Sequence, residues 1–220
     1  MSSETVNSEV LRDAFHVIAE KMKARSEELR VLDAACGDGD LGVTVTKGFT
    51  AIDTRLDELE GDPPDRLLAT LGMTFNNAAA STFGVFFATA LMYASNCITG
   101  QGEFSATDFC AMLQAAAEGI KTRGHADVGD RTILDALIPA CNAADTALST
   151  DGSFDAVLSA ATAAAKRGAA DSAELLPKTG RARWLGDKVK GTQDPGATFV
   201  YFFLDACCDA LHASPEGSAL

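Results

Sequence analysis

The sequence has little of what builds sheets, nucleic-acid grooves or membrane spans. Aromatic residues make up 7% of the 220 residues and runs of β-branched residues are few, which argues against a sheet-rich fold. Basic residues number 18 against 31 acidic ones, and the net charge of −13 argues against a nucleic-acid partner, because phosphate binding normally needs a basic surface. No apolar run is long enough to span a bilayer, and the N-terminus is polar. We therefore expect neither a membrane segment nor a signal peptide.

The six cysteines also exclude some classes of protein. None of them falls in a Cys-x-x-Cys pair, and most lie in helical patterns beside alanine or leucine. This usage is typical of reduced, buried thiols and gives little support to a zinc site or a disulfide framework. We expect a cytoplasmic protein.

What the sequence does contain is helical periodicity, supported by many alanines in a composition that is 47% hydrophobic. Eight segments joined by mostly short connections predict an all-α fold, an antiparallel up-and-down bundle or barrel that forms a single domain over 1–220. The predicted helices cover about 6–30, 41–59, 64–77, 82–94, 105–120, 132–148, 154–173 and 196–212.

The run from Leu32 to Gly42 is the most unusual stretch, because it carries three carboxylates and three glycines in eleven residues. Clustered carboxylates repel one another, by roughly 4 kcal/mol per contacting pair near a surface. Glycines allow tight backbone turns that direct several oxygens to one point, and Mg²⁺ prefers oxygen ligands. Asp33, Asp38 and Asp40 are therefore a candidate metal site. The alternative is that Asp40 merely caps the next helix while Asp38 and Gly39 form a turn.

Alternate connections of an up-and-down bundle emerge at the same end, so four connections rich in Gly, Asp and Arg are predicted to meet. Helix N-termini that follow them would offer free N–H groups to phosphate. Simpler interpretations also exist: 129–132 as a cap and turn, Asp194 as an ordinary helix cap, and Arg181 as a solvated surface residue. The long connection 177–195 is predicted to hold one short helical turn around Trp184. The four connections are 33–40, 76–81, 124–130 and 180–196.

Four blocks of sequence resemble the nucleotide-binding L subunit of dihydroxyacetone kinases. Their order and spacing extend over nearly the whole chain. They are Asp33-x4-Asp38-Gly39-Asp40-x-Gly42, then Gly129–Leu137 with Pro139-Ala140, then Gly180–Gly186, and finally Asp194–Ala197. The resemblance implies a barrel of eight antiparallel helices that binds ADP or ATP and two Mg²⁺ ions at one end.

The resemblance also implies roles for individual residues. Asp33, Asp38 and Asp40 would bind the two Mg²⁺ ions, and Arg181 would act in catalysis by offsetting phosphate charge. The family usually has a Gly-Gly-Ala-Ser-Gly stretch where this chain has Asn76 to Ala80, so a serine hydroxyl is absent at Ala79. The nucleotide contacts it implies are Leu41, Gly42, Val43, Thr44, Ala78, Ala79, Gly124, Ile133, Arg181, Asp194, Pro195 and Gly196.

Members of this family phosphorylate a small ketose that a separate K domain binds through a histidine. The three histidines, His16, His125 and His212, have no such sequence context, so we expect a partner K subunit, which the basic cluster Lys178, Arg181, Arg183, Lys188 and Lys190 could contact. Two further partners are possible. One is a phosphohistidine-carrying phosphotransferase subunit that regenerates the nucleotide in place, and the other is a second copy of this chain in a homodimer. Two alternatives differ in class: a non-catalytic ADP-binding regulator of a transcription factor, and a metal-dependent phosphohydrolase.

Overall fold

A computed structural model describes residues 5–213, apart from the side chains of Arg181, His212 and Ala213. This range contains nine α-helices and one two-stranded antiparallel sheet, which the sequence patterns did not predict. The all-α class is confirmed. The strands are β1 (Thr5–Asn7) and β2 (Glu103–Ser105), and the helices are α1 (Ser8–Ala24), α2 (Ser26–Cys36), α3 (Leu41–Leu56), α4 (Pro64–Ala78), α5 (Thr82–Cys97), α6 (Ala106–Gly124), α7 (Leu134–Thr150), α8 (Phe154–Asp171) and α9 (Pro195–Ala213).

Eight of the helices form a closed ring. Each packs against the next in the order α1, α3, α4, α5, α6, α7, α8 and α9, and α9 packs against α1. The short connections make α3 to α8 antiparallel neighbours. The additional helix, α2, packs mainly against α3. None of the helices within 5–213 is both long enough and apolar enough to cross a membrane.

The additional helix arises because the segment predicted as one helix over 6–30 is divided at Arg25 and continues to Cys36. The Ser26 hydroxyl donates to the Lys23 carbonyl at 2.7 Å, a side-chain bond that competes with regular helical hydrogen bonding. The extension of α2 places Asp33 in its last turn, so the prediction of Asp33 in an interhelical loop was wrong. The loop begins at Gly37.

Phenylalanines fill the ring near the start of α9. Phe75 and Phe87 lie 4.7 Å apart between ring centroids, and Phe83 of α5 meets Phe199 of α9 edge-on at 4.6 Å. Such aromatic pairs stabilise a core beyond their buried area alone. The contact between Phe83 and Phe199 also brings the first turns of α5 and α9 to the same end of the barrel.

Helix crossings in this barrel depend on glycines at close approaches. A Cβ on Gly168 of α8 would lie 2.2 Å from the Asp135 carbonyl oxygen of α7. A Cβ on Gly42 of α3 would lie 2.3 Å from the Ser26 carbonyl oxygen of α2. Both contacts involve backbone, which cannot rotate away as a side chain can, so these glycines fix how closely α8 approaches α7 and α3 approaches α2.

Replacement of Gly168 by alanine is expected to lower the free energy of unfolding by about 1–3 kcal/mol, because the helices must separate to accept the methyl group. Urea denaturation measures this change. Gly102→Ala is the matched control, since no atom lies within 4 Å of its Cβ position, and it should stay within about 0.5 kcal/mol of the parent. Equal stability of the two variants would contradict the close approach of α7 and α8.

Candidate functional site

The three predicted aspartates meet between α2 and α3. Asp33, Asp38 and Asp40 each offer a carboxylate oxygen, and these oxygens lie within 4.8 Å of one another. Asp33 is half-buried in the last turn of α2, while Asp38 and Asp40 lie exposed in the connection. A divalent cation with oxygen ligands is the group that such an arrangement suits.

Backbone contacts hold this acidic turn, which we define as residues 33–40. The Leu41 N–H donates to Asp33 Oδ2 at 3.0 Å, which joins the end of α2 to the start of α3. Gly39 has a φ of 74°, a conformation that glycine adopts without steric cost. Gly42 has no side chain to separate α3 from α2. The spacing of glycines in the sequence therefore has a direct structural use.

The simpler interpretation of Asp40 as a helix cap is not supported. Asp40 occupies the N-cap position of α3, yet its side chain makes no capping hydrogen bond. Asp33 instead accepts the first N–H of that helix. The Asp40 carboxylate is exposed and directed by the same short turn as Asp38, so it is available as a ligand. The donor set of three carboxylates is one that Mg²⁺ would accept.

Arg131 connects the acidic turn to the long connection before α9. Its Nη2 donates to the Thr192 carbonyl at 2.8 Å and approaches Cys36 Sγ at 3.4 Å. Nearby, Lys178 pairs with the Asp130 carboxylate at 3.0 Å. The connections around 36–40, 125–133 and 172–194 are thus in direct contact at one end of the barrel, as the alternation of helices predicted.

The start of α9 is organised by Asp194. Its Oδ2 accepts the Ala197 N–H at 2.9 Å, and its own N–H donates to the Ser172 hydroxyl at 2.8 Å. Burial raises the pKa of Asp194 from 3.8 to about 6, although the Ala197 N–H and the Arg131 guanidinium act in the opposite direction. The interpretation of Asp194 as a helix cap is correct, and its burial among charged groups was not predicted.

Two further predicted residues meet where α9 begins. A Cβ on Gly196 would lie 3.3 Å from the Ile133 backbone nitrogen, so the first turn of α9 touches the residue before α7. Pro195 is the first residue of α9. Gly124 is the last residue of α6 rather than a loop residue, and its Cβ position faces the Phe86 ring of α5.

The connection between α4 and α5 reaches the same end through Phe83. Ala79 is buried against the core, whereas its neighbours Ala78 and Ala80 are exposed. Asn76 has a buried Oδ1 with no hydrogen-bond partner among residues 5–213. The Ala79 methyl group itself faces the interior, and approach of a ligand to the backbone of this connection stays a prediction.

The first turn of α3 contains four predicted nucleotide contacts, which differ in burial. The side chains of Leu41 and Thr44 are buried and Gly42 is enclosed by α2, while Val43 is exposed. Of these four residues only Val43 is exposed, so contacts at Leu41, Gly42 and Thr44 would involve backbone groups.

The connection before α9 differs from prediction in its local structure. It contains two short 3₁₀ turns, Arg181–Trp184 and Gly186–Val189, instead of one. The Arg181 side chain lies outside the described part of the structure, so its predicted contact stays a prediction.

Sequence reasoning missed the buried charges that hold the site together. Arg131 is 3% exposed and Asp135 is 5% exposed. Asp135 accepts the N–H groups of Gly129 and Thr132, each at 2.6 Å, and so shapes the connection before α7. The block Gly129–Leu137 signalled that this segment is unusual, but no spacing rule indicates that its arginine is buried.

The raised pKa of Asp194 gives a prediction about stability. Between about pH 4 and pH 6 the folded protein retains a proton on Asp194 that the unfolded chain releases, so this group's contribution to stability falls as pH rises. A shift of about two pH units corresponds to about 3 kcal/mol. Asp194→Asn should therefore gain stability relative to the parent, by up to that amount, from pH 4 to pH 7 in urea denaturation. Asp13→Asn, on the exposed surface of α1, should show no such trend, and a parallel curve for Asp194→Asn would refute the assignment.

Comparison with known proteins adds independent information. The model of the DAK2 domain matches residues 35–209. The chain is 28% identical over 179 residues to the "PEP-dependent dihydroxyacetone kinase, ADP-binding subunit DhaL" of Escherichia coli, covering 81% of this chain and 85% of that protein. It is 31% identical over 206 residues to a D-erythrulose kinase of Mycolicibacterium smegmatis, covering 93% of this chain but only 36% of the relative.

A solved structure supports the same grouping. The crystal structure of the dihydroxyacetone kinase from C. freundii in complex with AMP-PNP and Mg²⁺ superposes with a TM-score of 0.68 at 25% identity, and the match covers 92% of this chain and 34% of that one. The chain thus spans about a third of the longer relatives and most of the E. coli subunit. The match over 35–209 shows that the chain belongs to the DAK2 domain family.

Proposed function

We propose that this protein is the nucleotide-binding phosphoryl-transfer subunit of a dihydroxyacetone-type kinase for small ketoses. The observation that carries the proposal is the meeting of Asp33, Asp38 and Asp40 at the barrel end where α9 begins. The relatives named as an ADP-binding kinase subunit and as kinases support it.

In this proposal the three aspartates hold Mg²⁺, with two ions as the expected number. When bound, Mg²⁺ neutralises charge on the β- and γ-phosphates and orients them for transfer. The C. freundii relative is described as a complex with both AMP-PNP and Mg²⁺, which supports the pairing of metal and nucleotide but not the count of two.

The proposed nucleotide site uses backbone more than side chains. In the first turn of α3, the N–H groups of Gly42 and Val43 have no intrahelical acceptor, and such groups bind phosphate. The first turn of α9 begins with Pro195, which has no N–H, and Asp194 accepts the Ala197 N–H, so this turn contributes close approach rather than hydrogen-bond donors. Gly42 and Gly196 keep these turns close to their neighbours. Because three carboxylates would repel a polyphosphate, nucleotide binding here must depend on metal. We propose Arg181 as the catalytic side chain that offsets the charge of the transferred phosphoryl group.

The sugar is proposed to reside on a separate K subunit that contacts this end of the barrel. Apolar side chains are exposed on the connections of that end, with Trp184 79% and Leu176 50% exposed. The exposed Arg183, Lys188 and Lys190 add a basic character, whereas Lys178 is already paired with Asp130. Among the relatives, the E. coli protein is called a subunit, which supports this division of labour.

The source of the phosphoryl group and the identity of the sugar follow from different evidence. The words "PEP-dependent" in the name of the E. coli relative support regeneration of bound ADP by a phosphohistidine-carrying subunit. Relatives named for dihydroxyacetone and for erythrulose support a small ketose as the substrate class. The relatives give no support to the transcription-factor regulator. Six free cysteines support the cytoplasmic location that we propose.

Asp38→Asn is expected to weaken Mg²⁺-dependent ADP binding by at least about tenfold. Substitution of a residue that only supports a metal ligand already lowers metal affinity by about that factor. Asp38 is chosen over Asp33 because Asp33 also holds the Leu41 N–H. Without metal the variant should unfold at the same or a higher temperature, since one repulsive charge is gone. Calorimetry and thermal denaturation with and without Mg–ADP measure both effects.

Asp13→Asn provides the control, because it removes an exposed carboxylate of α1 and should retain full binding. Equal stabilisation of Asp38→Asn and the parent by Mg–ADP would contradict the metal assignment.

The activity itself is tested with the full chain, a dihydroxyacetone-binding K subunit of a relative, and either Mg–ATP or Mg–ADP with a phosphohistidine-carrying subunit, because ADP has no γ-phosphoryl group to transfer. Phosphorylated ketose should form only when both subunits are present, and native mass spectrometry of the purified chain should show retained ADP if the phosphohistidine route operates. If the chain without a K subunit released phosphate from ATP as fast as the two subunits together consume ATP, the phosphohydrolase would be favoured instead.

A further inference from the structure

Arg131 combines two unfavourable features at the centre of the proposed site. Its guanidinium side chain is fully buried, and its backbone φ is 60° although it is not glycine. A non-glycine residue in this left-handed region is held there by its surroundings, and such outliers concentrate at functional sites. Both features lower the stability of the fold, which suggests that Arg131 has a functional role.

The guanidinium is only partly satisfied. Nε and Nη1 have no hydrogen-bond partner among the described residues, and Nη1 lies 4.0 Å from Asp194 Oδ1. Buried donors without acceptors and buried charges are both destabilising. Arg131 is also not needed to begin α7, because Asp135 already accepts the N–H groups of Gly129 and Thr132.

The two side-chain hydrogen bonds of Arg131 join the two halves of the proposed site. Cys36, at 3.4 Å from Nη2, lies three residues after Asp33 in α2, a spacing that puts both side chains on one face of the helix. Thr192, whose carbonyl accepts from the same nitrogen at 2.8 Å, lies two residues before Asp194 at the start of α9.

We propose that Arg131 is a positioning residue that sets the distance between the acidic turn and the first turn of α9. In this role it acts through Cys36 and Thr192 rather than on the nucleotide, and it determines how well metal and phosphate are held together. The proposal rests on the proposed function of the same site, since it needs metal and nucleotide to bind at these two turns.

A positioning role and a simple charge effect predict opposite results, which makes the proposal testable. If Arg131 contributed only its positive charge, Arg131→Met would bind Mn²⁺ more tightly, because a repulsive cation near three carboxylates is gone. Arg131→Lys would then bind like the parent. If Arg131 positions the turns, both variants lose the forked guanidinium geometry, and both should bind Mn²⁺ and Mg–ADP about tenfold more weakly.

The measurements are titration of Mn²⁺ by electron paramagnetic resonance and of Mg–ADP by calorimetry, each on the full chain. Ile98→Ala serves as a stability control, because Ile98 is fully buried at the far end of α5. This variant should lower the melting temperature but leave both affinities unchanged.

Each outcome decides. Weaker binding by both Arg131 variants, with unchanged binding by Ile98→Ala, supports positioning. Tighter Mn²⁺ binding by Arg131→Met, parental binding by Arg131→Lys, or equal losses in Ile98→Ala each overturn it. If Arg131→Met does not fold, Arg131→Lys carries the test. Failure of the parent chain to bind Mg–ADP would instead refute the proposed function, so the two failures are distinguishable.

Discussion

The mutual repulsion of three carboxylates is the constraint on which the site depends. The fold brings oxygens of Asp33, Asp38 and Asp40 within 4.8 Å, although at contact distance such charges repel by several kcal/mol per pair (~4 kcal/mol near a surface). The turn is held by backbone contacts, including the bond from the Leu41 N–H to Asp33. The stored repulsion is relieved when a divalent cation binds, so the same geometry that is unfavourable alone becomes a source of metal affinity.

A ring of helices is well suited to hold such a turn. The chain crosses the barrel repeatedly, and each return brings a connection back to the same end. Close approaches at Gly42 and Gly168 and the contact between Phe83 and Phe199 keep the helix ends from separating. Precision at the site therefore comes from packing within the ring, while the connections supply the polar groups. This arrangement lets buried α3 and α9 side chains such as Phe49 and Phe199 serve the core while the first turns of both helices face the site.

The buried charges between the connections form a second layer behind the acidic turn. Arg131, Asp135 and Asp194 are each less than a tenth exposed, and most of their side-chain hydrogen bonds run to backbone groups. Removing one partner from such a set leaves the others uncompensated. Asp194 shows the balance directly, because burial raises its pKa while Arg131 and the Ala197 N–H lower it. The site is thus held by groups that are costly individually and favourable as a set.

The sequence alone determined the helical class, most helix positions and the acidic turn, because apolar periodicity and the spacing of Asp and Gly are local properties. It also indicated that the connections 33–40, 124–130 and 180–196 would share one end. Tertiary structure decided what local patterns do not encode: the division of the first helix at Arg25, the place of Asp33 inside α2, and the inward orientation of Ala79. It also decided that Arg131 would be buried between Cys36 and Thr192, residues far apart in the chain. Ring closure produces these contacts, and burial of a charged side chain depends on which distant segments meet around it rather than on its neighbours in sequence.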